Sequence, residues 1–425
     1  MTILATVLWA RTPSNCLKGS LGRPNIDDRR VCRPAAVDRR DHERCHSQER
    51  NTRHPRWLHP VMTTSTQPHS RTALVVGASG ITGSAVVDQL SSEGWNVLAL
   101  ARRVGRDLPG VRWIQADLRS PADLHRALAD ELPDQVFFTA WSLQATEELN
   151  IEVNAGMVRD LLAALAHAPV RHVALVTGLK HYLGPFEAYG QGNMPDTPFS
   201  EDEPRLDVAN FYYAQEDELF AASPRQGFTW SVHRSHTVIG HAVGNLMNMG
   251  LTLAAQASLC KHLDIPFVFP GSETQWNSVT DMTDATILAE QMVWAATTDV
   301  GANEAFNVVN GDVFRWRAMW PKIAAYFGVE AEGFVDAPRT LDVQMADMEP
   351  VWADLAREHG LVEPDLGRIA SWWHTDADLG RNLEVFTDIT KSRLAGFTPH
   401  HRTVDSFTAL FDRYRAEKLI PDAAI

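Results

Sequence analysis

From residue 72 onward, short continuous apolar runs alternate with stretches of 3.6-residue spacing, the pattern of strands buried on both faces between helices. Thr72–Val76 (T-A-L-V-V) and Asn96–Ala101 (N-V-L-A-L-A) read as two such strands, with helical spacing from Ser84 to Leu90 between them. Trp113–Asp117 and Gln135–Ala140 read as a third and a fourth, and Val173–Thr177 as a later one that stops at Gly178. Beyond His241 the texture turns to a Met- and Leu-rich helix (Leu246–Leu259), a strand-like Pro266–Pro270 and a helix running to Trp294. Ala305–Val309 returns to strand character, Phe314–Phe327 to helix, and residues 334–367 to helices joined by loops. The alternation predicts an α/β fold: a doubly wound parallel Rossmann sheet over residues 71–240, and a smaller, mainly helical substrate-binding cap over 241–425 with segments returning to the sheet.

The first 70 residues do not join this pattern. From Arg11 to Arg56 there is apolar periodicity of neither 2 nor 3.6 residues, so this stretch cannot build a core. Residues 1–61 hold 12 Lys+Arg against 6 Asp+Glu, a net of +6, whereas the remainder nets −20. Residues 1–70 are therefore expected to be a disordered leader or the product of a start codon misplaced upstream of Met62; their acids speak against a transit peptide. The overall charge of −14 argues against nucleic-acid and anionic membrane surfaces, which reward clustered cations. No apolar run approaches the roughly 18 residues of a membrane span, so a soluble, cytoplasmic body is expected. Four cysteines without a C-x-x-C pair indicate neither a zinc site nor a disulfide framework, and no metal is expected.

Between the first strand and its helix lies Gly77-Ala78-Ser79-Gly80-Ile81-Thr82-Gly83. Glycines placed between a strand and a helix let the backbone turn tightly and approach a pyrophosphate, which the helix N-terminus favours. The second strand ends in Arg102-Arg103, where a site for NAD would place an acid against the ribose 2′-hydroxyl. Two guanidiniums there favour a 2′-phosphate, hence NADPH. Asp117, closing the third strand, is placed to reach the adenine amino group, and Thr139-Ala140-Trp141 to lie against the middle of the cofactor.

Lysine is scarce, with six in the chain, and one of them, Lys180, follows directly on a strand end with His181 and Tyr182. A second aromatic cluster, Phe211-Tyr212-Tyr213, comes after a loop. Together with V-T-G-L-K-H-Y-L-G-P-F and N-F-Y-Y, the chain carries W-S-V-H-R (230–234), L-M-N (246–248), A-F-N-V-V-N-G-D (305–312), S-W-W (371–373) and K-S (391–392) before Gly396-Phe397. With these motifs in order from about Leu74 to Pro421, the sequence resembles the progesterone 5β-reductase/iridoid synthase-like group, an atypical branch of the extended short-chain dehydrogenases/reductases. It departs from that group in reading His233-Arg234-Ser235-His236 where His-Arg-Pro is expected.

The resemblance implies NADPH-dependent 1,4-reduction of an enone or enal, with Lys180 and Tyr212, 32 residues apart, as the catalytic pair. Tyr212 would stabilise the enolate oxygen, Lys180 would lie near the ribose and the phenol, and His181, Tyr182 and Tyr213 would support the strand end. The cofactor-binding set is then Gly77, Ser79, Gly80, Ile81, Gly83, Arg102, Arg103, Asp117, Leu118, Thr139, Ala140, Trp141 and Val238, joined by Lys180 and Tyr212. Phe186, Met247 and Met249 are candidate substrate-pocket walls beside Tyr212, with core packing as the alternative for each. The Tyr-x-x-x-Lys of ordinary short-chain dehydrogenases is missing, since Glu216 stands four residues beyond Tyr212 and Asp217 four beyond Tyr213. Alternatives are a carbonyl reductase, an NAD-dependent sugar-nucleotide epimerase or dehydratase, and a non-catalytic NADPH sensor. The partner is in each case a small molecule, and self-association as a homodimer stays open.

Overall fold

A computed structural model describes residues 71–185 and 194–422. Along them run strands β1 (Thr72–Val76), β2 (Asn96–Ala101), β3 (Val111–Gln115), β4 (Gln135–Phe138), β5 (His172–Gly178), β6 (Thr229–Ser235), β7 (Val238–Ile239), β8 (Phe267–Val268), β9 (Thr283–Asp284), β10 (Glu304–Val308) and β11 (Ala331–Glu332). Seven of these form one parallel sheet in the order β3-β2-β1-β4-β5-β6-β10, and the pairs β7-β9 and β8-β11 stand apart from it. The strand order reverses between β1 and β4, and in such sheets the crevice at the carboxyl ends of the strands flanking that point receives the ligand.

The helices around the sheet are α1 (Ile81–Ser92), α2 (Pro121–Leu128), α3 (Glu147–Ala164), the single turn α4 (Lys180–Leu183) and α5 (Phe211–Gln226). Later come α6 (Met249–Leu263), α7 (Glu273–Asn277), α8 (Ala285–Thr297), α9 (Trp316–Phe327), α10 (Leu341–Gln344), α11 (Glu349–His359), α12 (Leu366–Ile369), α13 (Trp372–Leu379), α14 (Thr390–Leu394) and α15 (Thr403–Ala416). Alternate strand residues point to opposite faces. Leu74, Val76, Val136 and Phe138 therefore pack with α2, α3 and α5, while Ala73, Val75, Val97 and Phe137 pack with α1 and α8. Covering both faces is what made these strands continuous apolar runs.

A third core lies among α6, α9, α11 and α15, where Trp320, Trp352, Phe267 and Tyr414 are fully buried. Trp320 stacks on Phe267 with ring centroids 4.0 Å apart, and its indole donates to the Phe267 carbonyl. β10 pairs in parallel with β6, so this stretch beyond residue 241 extends the main sheet. Among the described residues no helix is long and apolar enough to cross a membrane.

Candidate active site

The glycine turn brings backbone against backbone. Gly77 has φ +80°, a left-handed conformation that side chains rarely adopt, and a Cβ there would lie 3.0 Å from the Ala140 Cβ. A Cβ on Gly83 would stand 2.2 Å from the Gly77 carbonyl oxygen, so the first turn of α1 rests directly on the loop. The amides of Gly77 and Ala78 both donate to the Leu100 carbonyl, at 3.0 and 3.1 Å. α1 starts at Gly80 with no side chain capping it and no acid in its first turn, which leaves its amide dipoles for an anion. These features fit the pyrophosphate of a dinucleotide.

A cleft of about 330 Å³ extends from this turn, lined by Gly77, Ser79, Gly80, Arg102, Arg103, Asp117, Leu118, Thr139, Ala140 and Trp141 among others. Arg119 and Arg368 line it too, but each is paired, Arg119 with Asp117 at 2.9 Å and Arg368 with Glu363 at 2.5 Å. Arg102 and Arg103 are exposed and enter no salt bridge among the described residues. Asp117 does not close β3, which ends two residues earlier, because only Ile114 of that exposed edge strand is buried and the apolar pattern locates its end poorly. Its carboxylate, expected to reach an adenine, lines the cleft and accepts from the Arg119 amide and guanidinium. Its hydrogen bond to Arg119 holds the Asp117 carboxyl below its ordinary pKa.

A second cavity, of about 200 Å³, shares Gly80, Thr139, Ala140, Trp141 and Asn245 with the first and reaches the ends of β5 and β6. Lys180 and Tyr212 both line it. Lys180 is buried at the start of α4, and Tyr212, half-buried, is the second residue of α5. Asn210 joins the two segments: its Nδ2 donates to the Lys180 carbonyl at 2.7 Å, and its Oδ1 caps α5 by accepting the Tyr212 amide at 3.0 Å. Glu147 Oε1 accepts the neighbouring Phe211 amide at 2.7 Å, setting a carboxylate at the positive end of the helix. The Tyr212 phenol lies against the end of β5, where a Cβ on Gly178 would come 3.4 Å from its Oη. Burial above all, and then the Glu147 charge, push its pKa well above the ordinary tyrosine value, so at neutral pH it is a hydrogen-bond donor.

The residues around the pair are tied to one another. Tyr213 Oη donates to the His181 carbonyl at 2.5 Å and accepts the Leu206 amide at 3.0 Å. Tyr182 Oη donates to Asn307 Oδ1 at 2.7 Å. Asn154 holds the loop after β4 by accepting the Ser142 amide at 2.8 Å and donating to the Ser142 carbonyl at 2.9 Å. Glu216 is buried and receives Arg205 Nη2 at 2.7 Å, so the position where a Tyr-x-x-x-Lys lysine would stand carries an inward carboxylate with its own partner. At the Ser235-His236 departure, Ser235 Oγ donates to the Thr177 carbonyl at 3.1 Å and His236 pairs with Asp281 at 2.7 Å.

Of the residues read from the sequence, Ile81, Val238 and Met247 also line the second cavity. Gly83 lies beneath the glycine loop and lines neither cavity. Met249, a candidate wall with core packing as its alternative, packs into the C-terminal core at 1 % exposure, in a helix buried all round from Met249 to Cys260. Phe186 lies outside the described residues. Sequence reasoning missed Glu147, Asn210, Asn245, Arg368, His374, Asp378 and Arg381. An asparagine just before an aromatic helical run is a capping signal that could have exposed Asn210; the others reach the site through tertiary contact.

A family model of the PRISE-like Rossmann-fold domain matches residues 110–421. An (S)-8-oxocitronellyl enol synthase of Camptotheca acuminata is 37% identical over 365 residues, covering 82% of this chain and 93% of the relative. A 3-oxo-Delta(4,5)-steroid 5-beta-reductase of Arabidopsis thaliana is 38% identical over 371 residues, covering 84% and 94%. Among solved structures, a Thermus thermophilus UDP-glucose 4-epimerase in complex with NAD superposes with a TM-score of 0.56 at 18% identity, covering 81% of this chain and 99% of that one, a likeness of fold. By the family match and these identities, the chain belongs to the PRISE-like Rossmann-fold family.

Proposed function

We propose that this protein is an NADPH-dependent reductase of activated alkenes, delivering hydride to the β-carbon of an α,β-unsaturated carbonyl. The observation that carries the reading is the convergence of Lys180 and Tyr212, from separate chain segments, on one cavity continuous with the nucleotide cleft. The relatives' names accord with it: a 3-oxo-Delta(4,5)-steroid 5-beta-reductase is named for reducing an alkene conjugated to a ketone, and an enol synthase for an enol product.

Bound in the cleft, the reduced nicotinamide supplies the hydride. The chain's own part is to hold the substrate's carbonyl oxygen against the Tyr212 phenol. As the alkene's π pair shifts toward that oxygen, negative charge grows there and the phenolic hydrogen bond strengthens, which is oxyanion-hole stabilisation. A phenol whose pKa is raised keeps its proton through this step. The Lys180 ammonium favours the same developing charge. Val176, Leu183 and Trp141 give the cavity apolar surface that limits water around it. In the cleft, Arg102 and Arg103, which enter no salt bridge among the described residues, offer guanidiniums to a 2′-phosphate, which supports NADPH over NADH.

The test is NADPH oxidation by the purified protein with small enals, cyclic enones and steroid enones, against saturated ketones and nucleotide sugars as controls. Turnover confined to conjugated carbonyls is the expected result. Turnover of saturated ketones would make it a carbonyl reductase, and conversion of a nucleotide sugar an epimerase.

A further inference from the structure

The C-terminal part brings to the second cavity a guanidinium that the proposed reaction leaves unused. Arg381 follows two residues after the end of α13 and lines the cavity together with Lys180 and Tyr212. Its side chain is only 9% exposed. Nε donates to the Asp378 carbonyl at 2.8 Å and Nη2 to His236 Nε2 at 3.2 Å. Arginine can only donate, so His236 Nε2 accepts and its Nδ1–H goes to Asp281 Oδ1 at 2.7 Å. Asp281 Oδ2 in turn accepts the Thr387 amide at 2.8 Å and the Thr387 hydroxyl at 2.9 Å. The plane of the guanidinium is thereby held from two sides before any ligand enters.

Nη1 is left over. It makes no hydrogen bond among the described residues, yet, unlike Arg234 Nε in the core, it is not sealed off by its neighbours. The carboxylate beside it does not supply the missing acceptor: Asp378 Oδ1 stands 3.9 Å from Nη2, beyond hydrogen-bond reach, and Oδ2 accepts Thr237 Oγ1 at 2.8 Å. Asp281 lies behind His236 with its oxygens already taken. The charged residues lining the cavity are then two cations, Lys180 and Arg381, against one carboxylate, Asp378. A nearly buried cation short of a bonded counter-ion has lost hydration that an anionic ligand makes good. Because a guanidinium has donors alone, the group that meets it must be an acceptor, and a carboxylate gives the strongest such bond.

We infer that Arg381 is a specificity-determining residue and that the preferred substrate is an enone or enal carrying a carboxylate remote from its conjugated carbonyl, which accepts from Arg381 Nη1. This inference rests on the enone-reductase reading. It is tested with three enals of one carbon skeleton that bear, remote from the aldehyde, a carboxylate, its methyl ester or a methyl group. The wild type should favour the carboxylate over both others by about tenfold or more in kcat/KM, since a charge-assisted hydrogen bond is lost with either analogue. Arg381→Gln, which removes the charge, should bring the carboxylate-to-methyl ratio close to one, and Arg381→Lys, which keeps it without the planar fork, should retain part of the preference. If Arg381→Gln fails to fold by thermal melting, the wild-type ratios and Arg381→Lys carry the test. Equal wild-type rates for carboxylate and methyl compounds, an ester as good as the carboxylate, or a proportional loss for all three in Arg381→Gln would overturn the inference while leaving the reductase reading intact. So would NADPH binding weakened in Arg381→Gln as much as the carboxylate preference, which would place the guanidinium on the cofactor. If none of the three is reduced while other conjugated carbonyls are, the inference falls alone; if no conjugated carbonyl is reduced, the reading falls with it.

Discussion

The two cavities that meet at Gly80 and Thr139 are built by different means. The nucleotide cleft is made mostly of main chain, exposed arginines and a helix end from residues 77–157, joined by Val243, Gly244, Asn245 and Arg368, and its ligand-facing groups hold little of the fold together. The substrate cavity gathers side chains from β5, α5, β6 and α13, among them the buried Thr177, Ser235, His236 and Asp378, which hydrogen bonds tie to neighbouring segments. The first should therefore tolerate substitution with a change in ligand preference alone. In the second, chemistry and stability are coupled.

The largest effect is expected at Tyr212. Tyr212→Phe removes one oxyanion donor, so turnover should fall about 10²–10³-fold, or about 3–4 kcal/mol, while the NADPH dissociation constant measured by fluorescence titration changes little. An unchanged rate would take Tyr212 out of the mechanism.

Next comes acid stability. A chain of hydrogen bonds runs from Thr229 through His172, Ser231 and His233 to Gln291, starting at the amino-terminal ends of β5 and β6. Burial lowers the pKa of His172 to about 3 and of His233 to about 4. Because the folded values lie below the unfolded one, near 6.5, the unfolded chain binds more protons at intermediate pH. The stability these neutral rings contribute is full above about pH 6.5 and declines as pH falls toward 4. Each histidine should cost about 1.4 kcal/mol at one unit below its unfolded pKa. Urea unfolding at pH 7.5 and 5.5 measures this, and His172→Gln should flatten the dependence; a flat wild-type profile would contradict it.

Asn210→Ala should lower stability by about 1–2 kcal/mol, through loss of the α5 cap and of the bond to the Lys180 carbonyl. It should lower kcat as well, because it frees the segment carrying Tyr212. A destabilised variant with unchanged kcat would show that Asn210 holds the fold without positioning the pair. Smallest in stability is Arg102→Ala. It should leave the melting temperature alone and weaken NADPH about tenfold, with little change for NADH; equal weakening of both would refute the 2′-phosphate assignment.

The same contrast explains what the sequence revealed. β1 and β2 could be read to the residue, because both faces of each are covered and the glycine turn is a local device. β3 was displaced by two residues, because an exposed edge strand carries a weak pattern. Lys180 and Tyr212 stood out through motifs, whereas His374, Asp378 and Arg381 did not. His374 and Asp378 share one side of a short helix and Arg381 follows its end, but only the fold brings them some 200 residues back to β5.

The central claim is hydride addition at the β-carbon, with the carbonyl carbon left untouched, and the position of a label tests it most directly. NADPH deuterated at the transferable position, incubated with the protein and a cyclic enone, should yield a saturated ketone with deuterium on the β-carbon, as read by NMR. Deuterium on a carbinol carbon, with the alkene retained, would contradict the account.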